Sequence, residues 1–181
     1  MRTLLEDSTP ILIGAGQFTE QGVAPQLAQS PMGIAAQAAK AALRDTGCAK
    51  KLVAQLDTIA VIRIFPDSYK NPRVPNPFGR AENPPRAVAR RIGANPERAI
   101  YGQVGGNTPQ KMINEMAERI SAAEVGIVLL TGSEAINTAQ LATRSAIKLD
   151  WAEQDEGTLE DRGLGEPLST KHEQDHGIAA P

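Results

Sequence analysis

Aromatic side chains are scarce in this 181-residue chain, at 3% of all residues. Proteins that bind single-stranded nucleic acid stack its bases on aromatic rings, so this composition disfavours a base-stacking module. The formal net charge is only −2, from 19 basic and 21 acidic residues. A chain with so little net charge has no overall field that would attract DNA or an anionic membrane. We therefore expect neither nucleic acid nor a membrane as a partner.

Cysteine and histidine are also rare, since the chain holds Cys48 alone and two histidines. A single cysteine cannot form an internal disulfide, and these three residues cannot complete a tetrahedral zinc site without carboxylates. We expect no metal and a reducing, cytoplasmic location. The chain also contains no run approaching the roughly 20 apolar residues of a membrane-spanning helix, and it opens with no signal-peptide pattern.

What the chain does contain is the composition of a globular protein, with 41% hydrophobic and 22% charged residues. Its length suits one domain or two small ones. Short apolar runs that end in glycine or polar residues alternate with helical spacing of apolar residues. They predict strands at 10–14, 59–65, 99–104 and 125–132, each followed by a helix, at 31–47, 86–92, 109–120 and 136–149. This alternation predicts an α/β fold with a mainly parallel sheet and helices on both faces.

Two segments fall outside this alternation. Residues 66–85 hold six of the 13 prolines, which predicts an irregular excursion on the surface. Residues 150–177 carry nine acidic residues against two basic ones, which predicts an extended, solvated arm or an inter-domain loop. We therefore divide the chain into a domain at 1–149 and an acidic segment at 150–181.

Three features invite functional interpretations that the residues support weakly. Gly14-Ala15-Gly16 follows a predicted strand, but the dinucleotide-binding pattern needs a third glycine where Thr19 stands. His172 and His176 have the i, i+4 spacing of metal ligands, yet no third ligand accompanies them. The basic stretch could dock a polyanion, although a solvated face or a small phosphate-bearing ligand fits better without interleaved aromatics. Its members are Arg63, Lys70, Arg73, Arg80, Arg86, Arg90, Arg91 and Arg98.

The most specific feature is the turn Gly105-Gly106-Asn107-Thr108-Pro109-Gln110 between a strand and a helix. Two glycines permit unusual backbone angles and close approach of a ligand. The N–H groups at the start of the following helix could stabilise an oxyanion. The alternative is a tight connection in which Asn107 or Thr108 only caps the helix.

The order of these segments resembles the N-terminal half of the thiolase superfamily. The likeness covers roughly residues 8–149 and is strongest in the acetyl-CoA acetyltransferases that are close to the sterol carrier protein type of thiolase. The runs that carry it are Ile11–Thr19, Ser30–Gly47, Leu56–Val61, Asn114–Ile120 and Ala123–Ala135, the last of which contains Val128-Leu129-Leu130-Thr131-Gly132-Ser133-Glu134. In this resemblance the nucleophilic cysteine of the family falls at Gly106, which has no side chain to acylate.

The resemblance implies a thiolase-like fold, a coenzyme A thioester as substrate rather than a bound cofactor, and pairing as a homodimer or with a partner subunit. Thiolases consist of two similar halves, so it also implies that this chain is truncated and that this chain alone is inactive. It places Gly106, Asn107 and Thr108 at the acyl or oxyanion end of the pocket. We expect an acyl-CoA-processing protein of lipid metabolism, an acyltransferase or an enzyme that makes or breaks a C–C bond beside the thioester. The alternative is a non-catalytic thiolase-fold subunit that interacts with a partner or binds acyl-CoA.

Overall fold

A computed structural model describes residues 8–68, 78–164 and 170–177. Its helices are α1 (Pro31–Asp45), α2 (Ala49–Gln55), α3 (Pro84–Ile92), α4 (Thr108–Ser121), α5 (Ile136–Arg144) and α6 (Lys171–Asp175). Its strands are β1 (Thr58–Val61), β2 (Arg98–Tyr101), β3 (Val128–Thr131) and β4 (Glu160–Asp161). No helix in these described ranges combines the length and the apolar character needed to cross a bilayer.

The strands form one parallel sheet in the order β3-β1-β2-β4. Strand β1 lies in the interior of the sheet and all four of its residues are buried, as its β-branched, apolar sequence predicts. Strand β3 lies within its predicted segment, β1 and β2 each begin one residue before theirs, and all three are shorter than we expected. The predicted α/β fold with a parallel sheet is confirmed.

Helices cover both faces of the sheet. Small residues of α1 and α3, including Ala35, Ala39 and Ala87, pack on one face against Ile59 and Val61 of β1. Helix α4 lies on the other face, where Met112 and Met116 contact Ala60 and Ile100. Alanine lets a helix approach the sheet closely, and this is how a core poor in aromatic residues is filled.

The ends of the helices follow local signals in the sequence. The Ser30 hydroxyl accepts a hydrogen bond from the Gly33 N–H at 3.2 Å, and Pro31 occupies the first turn of α1. Helix α3 begins after Asn83, whose side chain accepts from the Arg86 N–H. It ends at Gly93, which has a left-handed φ of 77°.

The predicted first strand at 10–14 is wrong, because this segment forms no strand and lies outside the sheet. Ile11 is 65% exposed and Leu12 is 88% exposed. The segment that follows lies directly on α1, where a Cβ added at Gly16 would come within 2.2 Å of the Ala42 nitrogen. The glycines at 14 and 16 therefore permit close packing on a helix, and a helix backbone fills the space that a phosphate would need.

Other boundaries also differ from the predictions. Helix α5 ends at Arg144 rather than at residue 149, and α2 was not predicted. The predicted irregular excursion at 66–85 overlaps a short 3-10 turn at Phe65–Ser68, and α3 already begins at Pro84. Residues 69–77 of the excursion lie outside the described residues.

The acidic segment is partly packed against the rest of the chain over its described residues up to 164, whereas Asp150, Gln154 and Glu156 are exposed. Trp151 is 6% exposed and packs edge-to-face on Phe78, with ring centroids 5.4 Å apart. Strand β4 then pairs in parallel with β2. Residues 165–169 and 178–181 lie outside the described residues. A role as an inter-domain loop and the division of the chain at residue 149 stay predictions.

Ion pairs join this segment to the basic stretch. Glu153 contacts Arg90 at 2.8 Å and Arg91 at 2.5 Å, and Asp155 contacts Arg90 at 2.6 Å. In the same way, Glu160 binds Arg98 at 2.6 Å and Asp161 binds Arg63. The side chains of Arg63, Arg91 and Arg98 are buried or half-buried, whereas Arg90 keeps 57% of its side chain exposed. Their carboxylate partners also lower the positive charge that a polyanion would meet.

The Arg162–Glu115 pair provides a test of how the acidic segment is held on α4. The Arg162 guanidinium donates to both Glu115 oxygens, at 2.8 and 3.2 Å, and holds the pKa of Glu115 below its ordinary value of 4.5. A carboxylate with a lowered pKa stabilises the fold above its unfolded-state pKa, and this stability is lost as pH falls through the folded-state pKa.

We expect Arg162→Gln to lower the free energy of unfolding by about 1 kcal/mol at about pH 7 and by much less at about pH 3. Urea titrations at both pH values measure this difference. Arg144→Gln changes an exposed arginine at the end of α5 and serves as the control. An equal loss at both pH values would contradict the assignment.

Candidate functional site

The candidate site lies at the carboxyl ends of the parallel strands, where α/β proteins bind ligands. Three connections emerge there, namely 62–68 after β1, 102–107 after β2 and 132–135 after β3. The middle connection holds the predicted site residues Gly106 and Asn107, and Thr108 is the first residue of α4. The parallel register of the three strands brings these connections to the same edge of the sheet.

Backbone geometry makes glycine necessary at position 105. Gly105 has φ of 150°, and a Cβ there would lie 2.9 Å from Asn107 Oδ1 and 3.1 Å from Thr108 Oγ1. The turn is closed by the Thr108 N–H, which donates to the Gly105 carbonyl at 3.0 Å. The Thr108 hydroxyl donates to the Gln103 carbonyl at 3.1 Å.

The three predicted site residues differ in their access to a ligand. Gly106 and Asn107 are exposed, whereas Thr108 is completely buried and its hydroxyl is already hydrogen-bonded. Asn107 precedes α4 without a side-chain cap, so capping is not what this asparagine provides. The Thr108 N–H is used within the turn and Pro109 has none. The backbone N–H groups of Gly106 and Asn107 are therefore the candidates for contact with an anionic ligand.

Gly106 differs from Gly105 in having free space around it. A Cβ added at Gly106 meets nothing within 4 Å, and its φ lies outside the left-handed region. A side chain at this position is therefore compatible with the backbone. The glycine at 106 is not required by the fold, in contrast to the glycine at 105.

Arg63 fixes the connection after β1 to the end of β2. Its side chain is 7% exposed, and its Nε donates to the Gly102 carbonyl at 2.9 Å. Its guanidinium also lies 4.2 Å from the centroid of the Tyr101 ring and pairs with Asp161. The sequence suggested only a basic stretch, because Asp161, the counter-charge, is 98 residues away.

Three further polar side chains, those of Tyr101, Asp67 and Glu134, lie at this edge. The Tyr101 hydroxyl donates to Asp67 Oδ2 at 2.7 Å and accepts from the Ile64 N–H at 3.2 Å. Burial, together with the charge of Asp67, raises the pKa of Tyr101 well above its ordinary value of 10.0. Tyr101 thus stays protonated and serves as a hydrogen-bond donor rather than a base.

Glu134 carries the other altered carboxyl group. Its Oε1 accepts from the Phe65 N–H at 2.6 Å. Although the residue as a whole is exposed, desolvation of the carboxyl group and the nearby charge of Asp67 raise the pKa of Glu134 above 4.5. A carboxyl group with a raised pKa can hold and release a proton. The sequence signal that could have identified it is an acidic residue directly after Gly132-Ser133 at the end of a strand.

None of the contacts that the structure describes places Cys48, His172 or His176 at this edge of the sheet. Cys48 is exposed at the start of α2, with its sulfur 3.7 Å from the Thr46 hydroxyl oxygen. His172 and His176 lie on α6, and His176 Nδ1 is 2.8 Å from the His172 carbonyl oxygen. Within the described parts of the chain, no three His, Cys, Asp or Glu residues are placed to share a metal ion.

The contrast between the two glycines predicts how the turn responds to a thiol. We expect Gly106→Cys to leave stability unchanged and Gly105→Cys to lose about 1–2 kcal/mol from backbone strain. The thiol at 106 would lie next to the first residue of α4, whose helix dipole lowers a thiol pKa below the ordinary ~8.5.

Urea unfolding measures the stability, and the pH profile of iodoacetamide alkylation measures the thiol pKa. Both variants are made in a Cys48→Ser background, and N-acetylcysteine provides the reference thiol, because Cys48 itself lies at the start of α2. A Gly106→Cys variant that alkylates with the pH profile of a free cysteine would contradict this geometry.

No protein-family model matches the chain, and no curated protein matches it. A solved structure that is similar is the monomeric SCP2-thiolase-like protein type 1 from Mycobacterium smegmatis, with a TM-score of 0.56 and 35% sequence identity. The match covers 70% of this chain and 23% of that chain. This chain thus spans about a quarter of the length of that protein, and its described residues have a thiolase-like fold.

Proposed function

We propose that this chain is an N-terminal thiolase-like half of an acyl-CoA-processing protein, in which the turn at 105–108 lines the acyl end of the pocket. The observation that carries the proposal is the exposed Gly106 at the start of α4, at the carboxyl end of β2. This is the position at which the resemblance places the nucleophile of thiolases. The 35% identity to an SCP2-thiolase-like protein supports the same alignment of the fold.

The proposed chemistry proceeds without a covalent acyl intermediate at position 106, because glycine has no nucleophilic atom. Making or breaking a C–C bond beside a thioester passes through an enolate, whose negative charge resides largely on oxygen. The N–H groups of Gly106 and Asn107 are the proposed donors to that oxygen. Glu134, with its raised pKa, is the group at this edge best suited to hold the proton removed from the α-carbon.

A second candidate function is a non-catalytic subunit that binds acyl-CoA. It is favoured by the burial of Thr108, whose hydroxyl is used by Gln103 and is withdrawn from any ligand. Under this proposal the exposed Gly106 gives only space for the acyl group. In both cases the acyl-CoA is a substrate or ligand, with no further cofactor.

We further propose that two copies pair or that a partner subunit completes the site, and that the protein acts in the cytoplasm, where its one cysteine stays reduced. The M. smegmatis protein is described as monomeric.

We expect the 181-residue chain to bind acetyl-CoA, which isothermal titration calorimetry measures directly. Gly106→Phe fills the free space at the turn, and we expect it to weaken binding by ~10-fold or more. Asn137→Phe makes the same change at an exposed position in the first turn of α5, and we expect it to leave binding unchanged.

Exchange of the α-hydrogens of acetyl-CoA for deuterium in D2O, followed by mass spectrometry, distinguishes the two functions, because it needs only the enolate step assigned to residues of this chain. Exchange supports the enzyme, and binding without exchange supports the non-catalytic subunit. Absence of binding, or equal weakening by both variants, would contradict both proposals.

A further inference from the structure

A polar cleft of about 460 Å³ lies where the end of α3 meets the acidic segment. Its lining residues belong to three stretches of the chain, at 26–30, 90–91 and 148–153. None of them belongs to the turn at 105–108 or to the other connections at the carboxyl ends of the strands. The cleft is therefore a second concave site, built from residues that the candidate functional site does not use.

The lining of the cleft holds three basic and two acidic side chains. These residues are Arg90, Arg91, Lys148, Asp150 and Glu153. The carboxylate of Asp155 also binds Arg90, at 2.6 Å, and balances the remaining positive charge. A cleft without net charge exerts little long-range attraction on a polyanion, so a ligand would be held by hydrogen bonds at short range.

The acidic side chains of the cleft already accept hydrogen bonds from within the chain. Glu153 Oε1 accepts from the Ser30 hydroxyl at 3.3 Å. Its Oε2 accepts from Arg90 at 2.8 Å and from Arg91 at 2.5 Å. Asp150 Oδ1 accepts from the backbone N–H two residues further along the chain, at 3.0 Å. The cleft therefore offers few free acceptors to a ligand.

Several donors of the cleft, by contrast, are free. Arg90 donates through Nε and Nη2, and Arg91 donates through Nη1. Arg90 Nη1, Arg91 Nη2 and the Lys148 ammonium have no acceptor among the residues that the structure describes. Phosphate oxygens accept hydrogen bonds from several cationic donors at once, and such charge-assisted bonds are stronger than neutral ones.

Trp151 adds a buried donor to the same cleft. The residue is 6% exposed, and its backbone N–H donates to the Phe78 carbonyl at 2.6 Å. Its indole Nε1–H, however, has no acceptor in the described part of the chain, and this nitrogen is not among the fully enclosed polar atoms. Buried indole N–H groups normally have a hydrogen-bond partner. An oxygen atom of a ligand in the cleft could supply that partner.

We propose that this cleft binds the phosphate group of a small phosphomonoester, held by the free donors of two arginines, Lys148 and Trp151. The volume of the cleft exceeds that of a phosphate ion, so an organic group attached to the phosphate also has room. The proposal gives a ligand to part of the basic stretch, for which a small phosphate-bearing ligand was one interpretation of the sequence. It is independent of acyl-CoA binding.

Tryptophan fluorescence tests the proposal, because Trp151 is the one tryptophan of the chain. We expect inorganic phosphate and glycerol 3-phosphate each to change the emission of the 181-residue chain, with saturation at a dissociation constant of ~1 mM or below. Sodium chloride at matched ionic strength and glycerol should leave the emission unchanged.

Two variants assign the binding to the cleft, and isothermal titration calorimetry measures both. We expect Lys148→Gln, which changes an exposed side chain, to raise the dissociation constant of glycerol 3-phosphate ~10-fold. Lys51→Gln makes the same change at an exposed position of α2 outside the cleft and should have no effect. Trp151→Phe keeps an aromatic ring but removes the Nε1–H, and we expect a loss of ~10-fold. Thermal unfolding verifies that this variant stays folded.

Several results would overturn the proposal. Emission that does not respond to either phosphate compound, or that responds equally to sodium chloride, excludes a phosphate site. Equal weakening by Lys148→Gln and Lys51→Gln would show binding to general surface charge. Binding of inorganic phosphate without glycerol 3-phosphate would exclude a phosphomonoester. Gly106→Phe should leave phosphate binding unchanged, and a loss in this variant would place the phosphate at the turn instead.

Discussion

The charge match between α3 and the acidic segment is the interaction on which the layout of this molecule depends. Arg90 and Arg91 lie in the last turn of α3 and would repel each other and Arg86 if they were left unpaired. Glu153 and Asp155 neutralise them, and the same segment continues through Trp151 on one side and β4 on the other. The acidic segment thereby covers α3 and extends the sheet beyond β2.

Ion pairs of the acidic segment also help to position the candidate site. Asp161 at the end of β4 pairs with Arg63, and Arg63 holds the Gly102 carbonyl at the entry to the turn. The arginines thus act as structural cations that connect the acidic segment to the strand ends. The turn itself depends on Gly105, since its φ and its contacts leave no room for a side chain, while Gly106 stays open to a ligand.

Local signals predicted most of the fold. Ser30-Pro31, Asn83-Pro84 and Gly93 determine where helices begin and end through their own backbone chemistry, so α1 and α3 were predictable. The segment at 10–14 was not, because an apolar run indicates burial without indicating whether a paired strand is present in the same molecule. The packing of Trp151 and Glu153 was also not predicted, since composition does not reveal counter-charges such as Arg90, 63 residues from Glu153.

Part of the candidate site was also predictable from the sequence. The double glycine indicated an unusual turn. In the structure, position 105 requires glycine, whereas position 106 has room for a side chain. The burial of Thr108 and the contacts of Arg63 and Glu134 arise from tertiary packing between separate strands, which local sequence does not encode. Whether residues 106–108 take part in chemistry stays a prediction.

Trp151 gives the most direct measurement of the central claim, because it is the one tryptophan of the chain and is 6% exposed in the docked acidic segment. We predict blue-shifted emission that is protected from acrylamide. Glu153→Lys, which places a cation beside Arg90 and Arg91, should shift this emission to the red and expose the indole. Glu156→Lys changes an exposed acid of the same segment and should leave both properties unchanged. Emission of a solvent-exposed indole in the unchanged chain would contradict the account.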